Sequence, residues 1–391
     1  MDGALSPTPH RFPRYDHHID ITAATVEAAG ATLGVEEEFH VLSGPDGRLS
    51  PGSRRLLALT EGEEAVEREF QDSMIETATP VCHDLPGLRT ALLGTRRTLV
   101  EAADKAGLWL AASGTVPASG TPMGSTFADE RYRRISDEYR RLADEQQVCA
   151  CQVQVGVPDR DLAVQVIARL RGWLPTLLAL SASSPFFQQT DSGYASYRAI
   201  VLSRWPTNGP PPIHPDYASH LRSVETLIRA GVISDHGMVY YDARPSYKYP
   251  TIELRIADAC PELDDVLVVA ALCRALVITG AAAEFAGERP SYVPDDLLRG
   301  ATWRAARSGL RGQLIDPYAA EPVRAPVLVG RLLAHLRPAL EFTGDWELVS
   351  DGVAAILRRG TSAEDQRRIL GSGEGLPGIA RALVARTRAA L

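Results

Sequence analysis

The chain has 391 residues, of which 45% are hydrophobic and 23% are charged, and its formal net charge is −8. This composition predicts a globular fold, and without an uninterrupted apolar run of about 18 residues no membrane span is expected. Lysine and arginine are scattered along the chain, so nucleic acid is not an expected partner. The five cysteines, an odd number, indicate reduced thiols and a cytoplasmic protein.

The N-terminal segment differs in character from the remainder of the chain. Residues 1–20 are polar, contain proline and histidine, and lack the apolar core of a signal peptide. We therefore predict a flexible tail over residues 1–30. Neither a repeat nor a linker interrupts the sequence that follows, which predicts a single domain over residues 31–391 with a helical C-terminal part.

The first predicted strand, residues 33–42, contains three consecutive glutamates between apolar β-formers. Side chains alternate in a strand, so Glu36 and Glu38 project from one face and Glu37 from the other. Two like charges on a buried face repel each other unless a cation compensates them. Carboxylates without a neighbouring cysteine suit Mg²⁺ or Mn²⁺. The alternative interpretation is an edge strand whose acidic face is solvated.

Later strands are predicted to carry polar side chains on one face in the same way. The polar residues are Glu76 in strand 70–79, Gln152 and Gln154 in strand 148–158, and Glu253 and Arg255 in strand 251–258. Shorter strands are predicted over 108–113 and 238–245, and helices over 84–106, 129–146, 161–184, 214–230 and 264–285. This layout predicts an α+β fold. Its curved, mostly antiparallel sheet would carry the site on the concave face and helices on the convex side.

The segment 184–212 is polar, aromatic and predicted to be a long binding loop. It contains Arg198 and Arg204, whose guanidinium groups suit a carboxylate or a phosphate. Surface arginines without a role are an equally good interpretation. Combined with the carboxylates of the strands, these arginines predict a site for a metal ion and a polyphosphate.

Several motifs carry a family resemblance when they are taken together and in order. They include Gly34-Val35-Glu36-Glu37-Glu38-Phe39, Glu76-Thr77-Ala78-Thr79-Pro80, Gln154-Val155-Gly156-Val157-Pro158-Asp159, Arg204-Trp205-Pro206, Arg244-Pro245 and Thr251-Ile252-Glu253-Leu254-Arg255. The set resembles the bacterial carboxylate–amine ligase family, commonly labelled glutamate–cysteine ligase type 2, over residues 33–310. The resemblance implies a glutamine-synthetase-like fold. It also implies ATP-dependent activation of a carboxylate as an acyl phosphate, attack by an amine, and a homodimer. The partners would be small-molecule amino acid and amine substrates, with glutamate and cysteine as the default.

The resemblance also implies the residues of the site. Glu36, Glu38, Glu76 and Glu253 would face ATP and Mg²⁺ (or Mn²⁺), and Glu36, Glu38 and Arg255 would take part in catalysis. The residues that would bind ATP or substrate are Arg198, Arg204, Gln152, Gln154, Arg304 and Arg307.

One departure from the family pattern concerns the third predicted polar strand. Family members usually read Cys-x-Cys-His-Val-His-Val-Gly where this chain has Gln152 and Gln154. Glutamine can coordinate a metal through its carbonyl oxygen or hydrogen-bond to a phosphate, but it cannot transfer a proton. Two alternatives to a ligase therefore stay open. One is an ATP-binding homologue with an altered substrate or lost turnover, and the other is phosphotransfer to a small molecule without ligation.

Overall fold

A seven-stranded sheet forms the centre of the computed structural model, which describes residues 20–120, 126–127, 129–389 and 391. Its strands are β1 (Leu33–Leu42), β2 (Val66–Arg68), β3 (Met74–Ala78), β4 (Trp109–Ala111), β5 (Cys151–Gly156), β8 (Ala243–Pro245) and β9 (Thr251–Leu254). The strand order is β2-β3-β1-β5-β9-β8, β4 pairs with the end of β1, and every neighbouring pair is antiparallel. Two small hairpins lie outside this sheet and consist of β6 (Phe186–Phe187) with β7 (Thr190–Asp191) and β10 (Gln313–Asp316) with β11 (Glu321–Arg324).

Helices connect and cover the strands. They are α1 (Ala23–Ala29), α2 (Ser53–Leu59), α3 (Leu85–Ala106), α4 (Glu130–Tyr139), α5 (Arg141–Asp144), α6 (Arg160–Leu170), α7 (Leu174–Ser181), α8 (Tyr197–Leu202), α9 (Tyr217–Arg229), α10 (Leu263–Phe285), α11 (Asp295–Ser308), α12 (Ala325–Phe342), α13 (Trp346–Arg359), α14 (Ser362–Gly371) and α15 (Gly375–Arg388), with a 3-10 turn at His236–Met238. The α+β class and the antiparallel sheet are as predicted.

The register of the sheet brings the predicted polar residues onto one face. Glu38 lies opposite Glu76 on β3. On the other side of β1, Glu36 lies opposite Gln152 of β5. One strand further on, Gln154 of β5 lies opposite Glu253 of β9. The period of two along each strand and the antiparallel register together place these side chains side by side.

The remaining glutamate of β1, Glu37, projects from the opposite face and forms an ion pair with Arg96. Glu37 is buried, and Arg96 of α3 donates to it through Nη2 at 2.6 Å and through Nε at 3.0 Å. The same guanidinium donates to the carbonyls of Cys260 and Pro261 at 2.9 Å. This buried pair therefore joins the sheet to α3 and to the segment that precedes α10.

The apolar face of the sheet packs on a helical layer. Val153 and Val155 of β5 belong to one core cluster with Leu88 of α3 and Leu267 of α10. Because α10 is hydrophobic around its whole circumference, it lies in the core. Within the described part of the chain it is the one helix long and apolar enough to cross a membrane, and its apolar window is 100% buried inside the protein.

Two helices predicted as continuous are each divided in two. The predicted helix 161–184 breaks between α6 and α7, and Pro175 occupies the first turn of α7, where it needs no amide hydrogen. The predicted helix 129–146 breaks at Arg140, whose φ is 52°. The hydrophobic period alone did not reveal either break.

Part of the predicted flexible tail is helical. α1 lies within residues 1–30, begins after the N-cap Thr22, and buries Thr25 and Ala29. Ala29 belongs to the same core cluster as α10. Residues 23–29 of the predicted tail are thus helical, while residues 1–19 lie outside the described residues.

Candidate active site

A cavity of about 1180 Å³ opens over the polar face of the sheet. Its floor is formed by side chains of β1, β3, β5 and β9, and its far wall by the β8–β9 turn and α9. Glu36, Glu38, Glu76, Gln152 and Gln154 all line it, as do Glu253 and Arg255. The strands therefore bring together these predicted site residues.

One end of the cavity is acidic. Glu38, Glu69 and Glu76 each offer a carboxylate oxygen, and these three oxygens lie within 4.8 Å of one another. Burial, together with the charge of Glu69, raises the pKa of Glu38 to about 8. Burial and the charge of Glu36 raise the pKa of Glu76 well above its usual value. Carboxylates in this state gain from a compensating cation.

Glu36 continues the acidic end toward β5. It shares a hydrogen bond with Glu76, and burial, followed by the charge of Glu253, raises its pKa. Gln154 Nε2 donates to Glu36 Oε1 at 3.1 Å. Glu36 therefore lies between the acidic cluster and the polar residues of β5.

The two glutamines of β5 are hydrogen-bonded at both ends of their side-chain amides. Gln152 Nε2 donates to Glu38 Oε1 at 2.7 Å, and its carbonyl oxygen accepts from Arg255. The carbonyl oxygen of Gln154 accepts from Thr251 Oγ1 at 2.6 Å. Both amide groups thus point at carboxylates, and both carbonyl oxygens already have a donor, so neither is presented as a free metal ligand.

The opposite end of the cavity is rich in arginine. Glu253 accepts two hydrogen bonds from Arg244, each 3.0 Å long, and a further one from Arg255. Although burial acts to raise it, the charges of Arg255 and Arg244 lower the pKa of Glu253 to about 2. Its predicted role as a metal ligand is thus less well supported than that of Glu38 or Glu76, because two guanidinium groups already compensate its charge.

The guanidinium groups of Arg198 and Arg204 already bond to other parts of the protein. Arg198 is buried, donates to the carbonyls of Arg255 at 2.8 Å and of Ile256 at 3.1 Å, and lines the cavity. Arg204 pairs with Glu145 and is not among the described residues that line the cavity. Arg198 therefore supports the strand that carries Arg255, and the predicted ligand role of Arg204 lacks support from its position.

The late arginines lie on α11. The guanidinium of Arg304 lies 5.1 Å from the ring centre of Trp303, and that of Arg307 lies 5.9 Å from that of Tyr194. In the described part of the chain, Thr302 is the α11 residue that lines the cavity. Their predicted contact with ATP or substrate stays a prediction.

The sequence analysis missed two residues of the site. Glu69 lies between β2 and β3 and completes the acidic cluster. Arg244 was noticed only as part of a motif, although it pairs with Glu253 and also donates to the carbonyl of Val239 at 2.6 Å. The sequence carries only a weak signal for Glu69, which lies near Glu67 and Glu76. Acidic residues on or beside short strands can share a face with a neighbouring acidic strand.

Solved structures define the class of this fold. The chain superposes on the crystal structure of glutamate–cysteine ligase from Francisella tularensis in complex with AMP with a TM-score of 0.69. That likeness covers 92% of this chain and 89% of the other at 11% sequence identity, so it shows the fold alone. The fold is glutamine-synthetase-like, as the sequence predicted.

Sequence comparison then gives the family. The model of glutamate–cysteine ligase family 2 matches residues 32–382, and the chain belongs to that family. A protein of Frankia casuarinae assigned as glutamate–cysteine ligase 2-2 is 44% identical over 93% of this chain. A Salinispora tropica protein assigned as glutamate–cysteine ligase 2 is 44% identical over 87% of it. The chain spans 42% of the length of the Frankia relative and 90% of the Salinispora one. The family resemblance seen in the sequence is thereby confirmed.

Proposed function

We propose that this chain is an ATP-dependent carboxylate–amine ligase that forms an amide bond through an acyl phosphate. Glutamate and cysteine are the default substrates, because they are named by the family. The observation that carries the proposal is the division of one cavity into an acidic cluster and an arginine-rich end, joined by hydrogen-bonded glutamines. Such a site can bind the anionic groups of two substrates when a cation compensates the carboxylate cluster.

The acidic end fits a hard divalent cation. Its donors are carboxylate oxygens, three of which lie within 4.8 Å of one another, and burial with neighbouring acidic charge raises the pKa values of Glu38 and Glu76. Glu38, Glu69 and Glu76 would hold Mg²⁺ (or Mn²⁺), with Glu36 beside them. Such an ion neutralises phosphate oxygens of ATP.

The chain's own residues account for the orientation of the substrates. Both hydrogen bonds donated by the Arg255 side chain within the described residues leave from Nη1, so Nη2 and Nε remain for a carboxylate or phosphate. Arg198 fixes the backbone of Arg255 through its carbonyl. In the proposed reaction a substrate carboxylate oxygen attacks the γ-phosphorus of ATP and ADP leaves. The amine nitrogen then attacks the acyl carbon, and phosphate leaves as the carbon–oxygen bond breaks.

A second function is favoured by one observation. Neither Gln152 nor Gln154 can transfer a proton, and each is held by a carboxylate and a second partner. The chain would then be an ATP-binding homologue with an altered substrate or without turnover. A homodimer in the cytoplasm completes the proposal in either case. A gel-filtration peak at the monomer mass would reject the dimer.

Phosphate release from Mg²⁺-ATP across a panel of amino acids and amines, with mass spectrometry of the products, tests the proposal. A ligase releases ADP and phosphate only when both substrates are present, and a new amide appears. A phosphotransferase instead yields a stable phosphorylated product with one substrate. Tight ATP binding without release for any pair would favour the homologue without turnover.

A further inference from the structure

Asp242 is a buried acid at the arginine-rich end of the cavity. It directly precedes β8, lines the cavity, and has only 7% of its surface exposed. The register of β8 with β9 places it opposite Arg255, whose backbone amide donates to the Asp242 carbonyl at 2.9 Å. Glu36 lies opposite Gln152, Gln152 accepts a hydrogen bond from Arg255, and the backbone of Arg255 bonds to Asp242, so these residues follow one another across the sheet.

The carboxylate of Asp242 differs from its buried neighbours. Glu253 is paired with two arginines, and Asp258 accepts hydrogen bonds from Ser184 and Ser196. Within the described residues, the Asp242 side chain has neither a hydrogen bond nor an ion pair. An unpartnered buried acid is unfavourable unless it serves a ligand. Burial raises the pKa of Asp242 to about 7, and the charge of Arg198 acts in the opposite direction.

Arg255, the cross-strand neighbour of Asp242, has side-chain donors without a partner among the described residues. Directly opposite residues of antiparallel strands lie about 5 Å apart at their Cα atoms. Even so, Arg255 and Asp242 form no ion pair, because the guanidinium turns its Nη1 toward Gln152 and Glu253. Within the described residues, the Asp242 carboxylate and the Nη2 and Nε atoms of Arg255 thus have no hydrogen-bond partner, and both residues line the cavity.

We propose that Asp242 binds the primary ammonium group of an amino acid substrate in this cavity. The inference rests on the proposed ligase function and assigns the role of Asp242 within it. The ammonium group can come from two sources, the amino acid that is activated or the amino acid that attacks. In the second case Asp242 also accepts one ammonium proton, which leaves the nitrogen lone pair free to attack the acyl carbon. The second N–H proton leaves with the departing phosphate.

The test compares Asp242→Asn with the wild type, using L-glutamate, ATP and Mg²⁺. Hydroxylamine, which is uncharged at neutral pH, traps the acyl phosphate as a hydroxamate without needing an ammonium site. Glutarate carries the same two carboxylates as L-glutamate but no ammonium group. Asp351→Asn, an exposed acid on α13, is the matched control for the charge change.

Two results support the inference and separate the sources. If the activated amino acid is bound, Asp242→Asn lowers hydroxamate formation from L-glutamate about 10- to 100-fold and leaves glutarate unchanged. If the attacking amino acid is bound, hydroxamate formation is unchanged, and amide formation with L-cysteine falls by a similar factor. Isothermal titration with L-glutamate and with L-cysteine, in the presence of Mg²⁺-ADP, shows the same loss of affinity without turnover.

Other results overturn it. Equal losses of hydroxamate formation from glutamate and from glutarate would make Asp242 a structural residue, and thermal unfolding would show the accompanying destabilisation. No loss in any assay would remove it from the site. A wild type that forms no hydroxamate with any of the twenty amino acids would instead reject the ligase function, and this inference with it.

Discussion

Buried glutamates lie on both faces of β1, but their charges are compensated in different ways. On one face, Glu37 is buried and compensated by Arg96, which the protein itself supplies. On the other face, Glu36 and Glu38 meet further carboxylates and polar amides, and their pKa values are raised. The difference shows that burial of an acid is tolerated on one face through a protein cation. Within the described residues, Glu36 and Glu38 on the cavity face form no such ion pair, so a ligand cation would compensate them.

Removing a carboxylate from the uncompensated face should have the largest effect. Glu38→Gln is expected to lower ATP-dependent turnover by at least about 10²- to 10³-fold, because it removes a ligand oxygen at the acidic end. The free energy of unfolding should stay unchanged or increase, since a buried charge is lost. Phosphate release and chemical denaturation measure the two effects. Glu61→Gln, on the exposed surface, serves as the control, and unchanged kinetics in Glu38→Gln would remove this residue from the site.

Breaking the compensated face should affect stability instead. Arg96→Met leaves Glu37 buried without a cation, and we expect the free energy of unfolding to fall by about 3–5 kcal/mol. The double variant Glu37→Leu with Arg96→Met should recover most of that loss. Urea denaturation of the three proteins measures it. A single variant as stable as the wild type would mean that the pair contributes little to the fold.

Adding Mg²⁺ should stabilise the folded protein by compensating the carboxylates of the cavity face, and the size of this effect should depend on pH. In the folded protein the pKa of Glu38 is raised to about 8 from 4.5, so the folded state binds more protons than the unfolded state between these pH values. Without metal, stability from this group is present below pH 4.5 and is lost as the pH rises through 8. Mg²⁺ replaces those protons and should raise the thermal midpoint by about 2–4 °C at pH 8, and by less at pH 6. An equal shift at both pH values would contradict binding at this cluster.

The smallest effect is expected from placing histidine at positions 152 and 154. Gln152→His with Gln154→His removes two carbonyl acceptors from Arg255 and Thr251 and supplies groups that can carry a proton. We expect glutamate–cysteine ligase activity to rise about 10-fold, at the lower end of what acid–base catalysis contributes. Product formation by mass spectrometry measures it. No gain in a well-folded double variant would place the difference in substrate elsewhere in the pocket.

Local patterns in the sequence were sufficient for the parts of the site that one strand or helix determines. Alternation along a strand places Glu36 and Glu38 on one face whatever the rest of the fold does. A continuous apolar run predicts the buried α10 at 264–285, close to the observed Leu263–Phe285. The ordered motifs were enough to indicate the family, which the family model confirms.

Only the tertiary structure decided which of these groups meet. Glu69 joins the acidic cluster from a short connection, and Arg244 compensates Glu253 across two strands. Asp242 lies opposite Arg255 because of the register between β8 and β9. Cross-strand register and the placement of connecting segments depend on contacts between residues far apart in the chain, so periodicity within a strand cannot determine them.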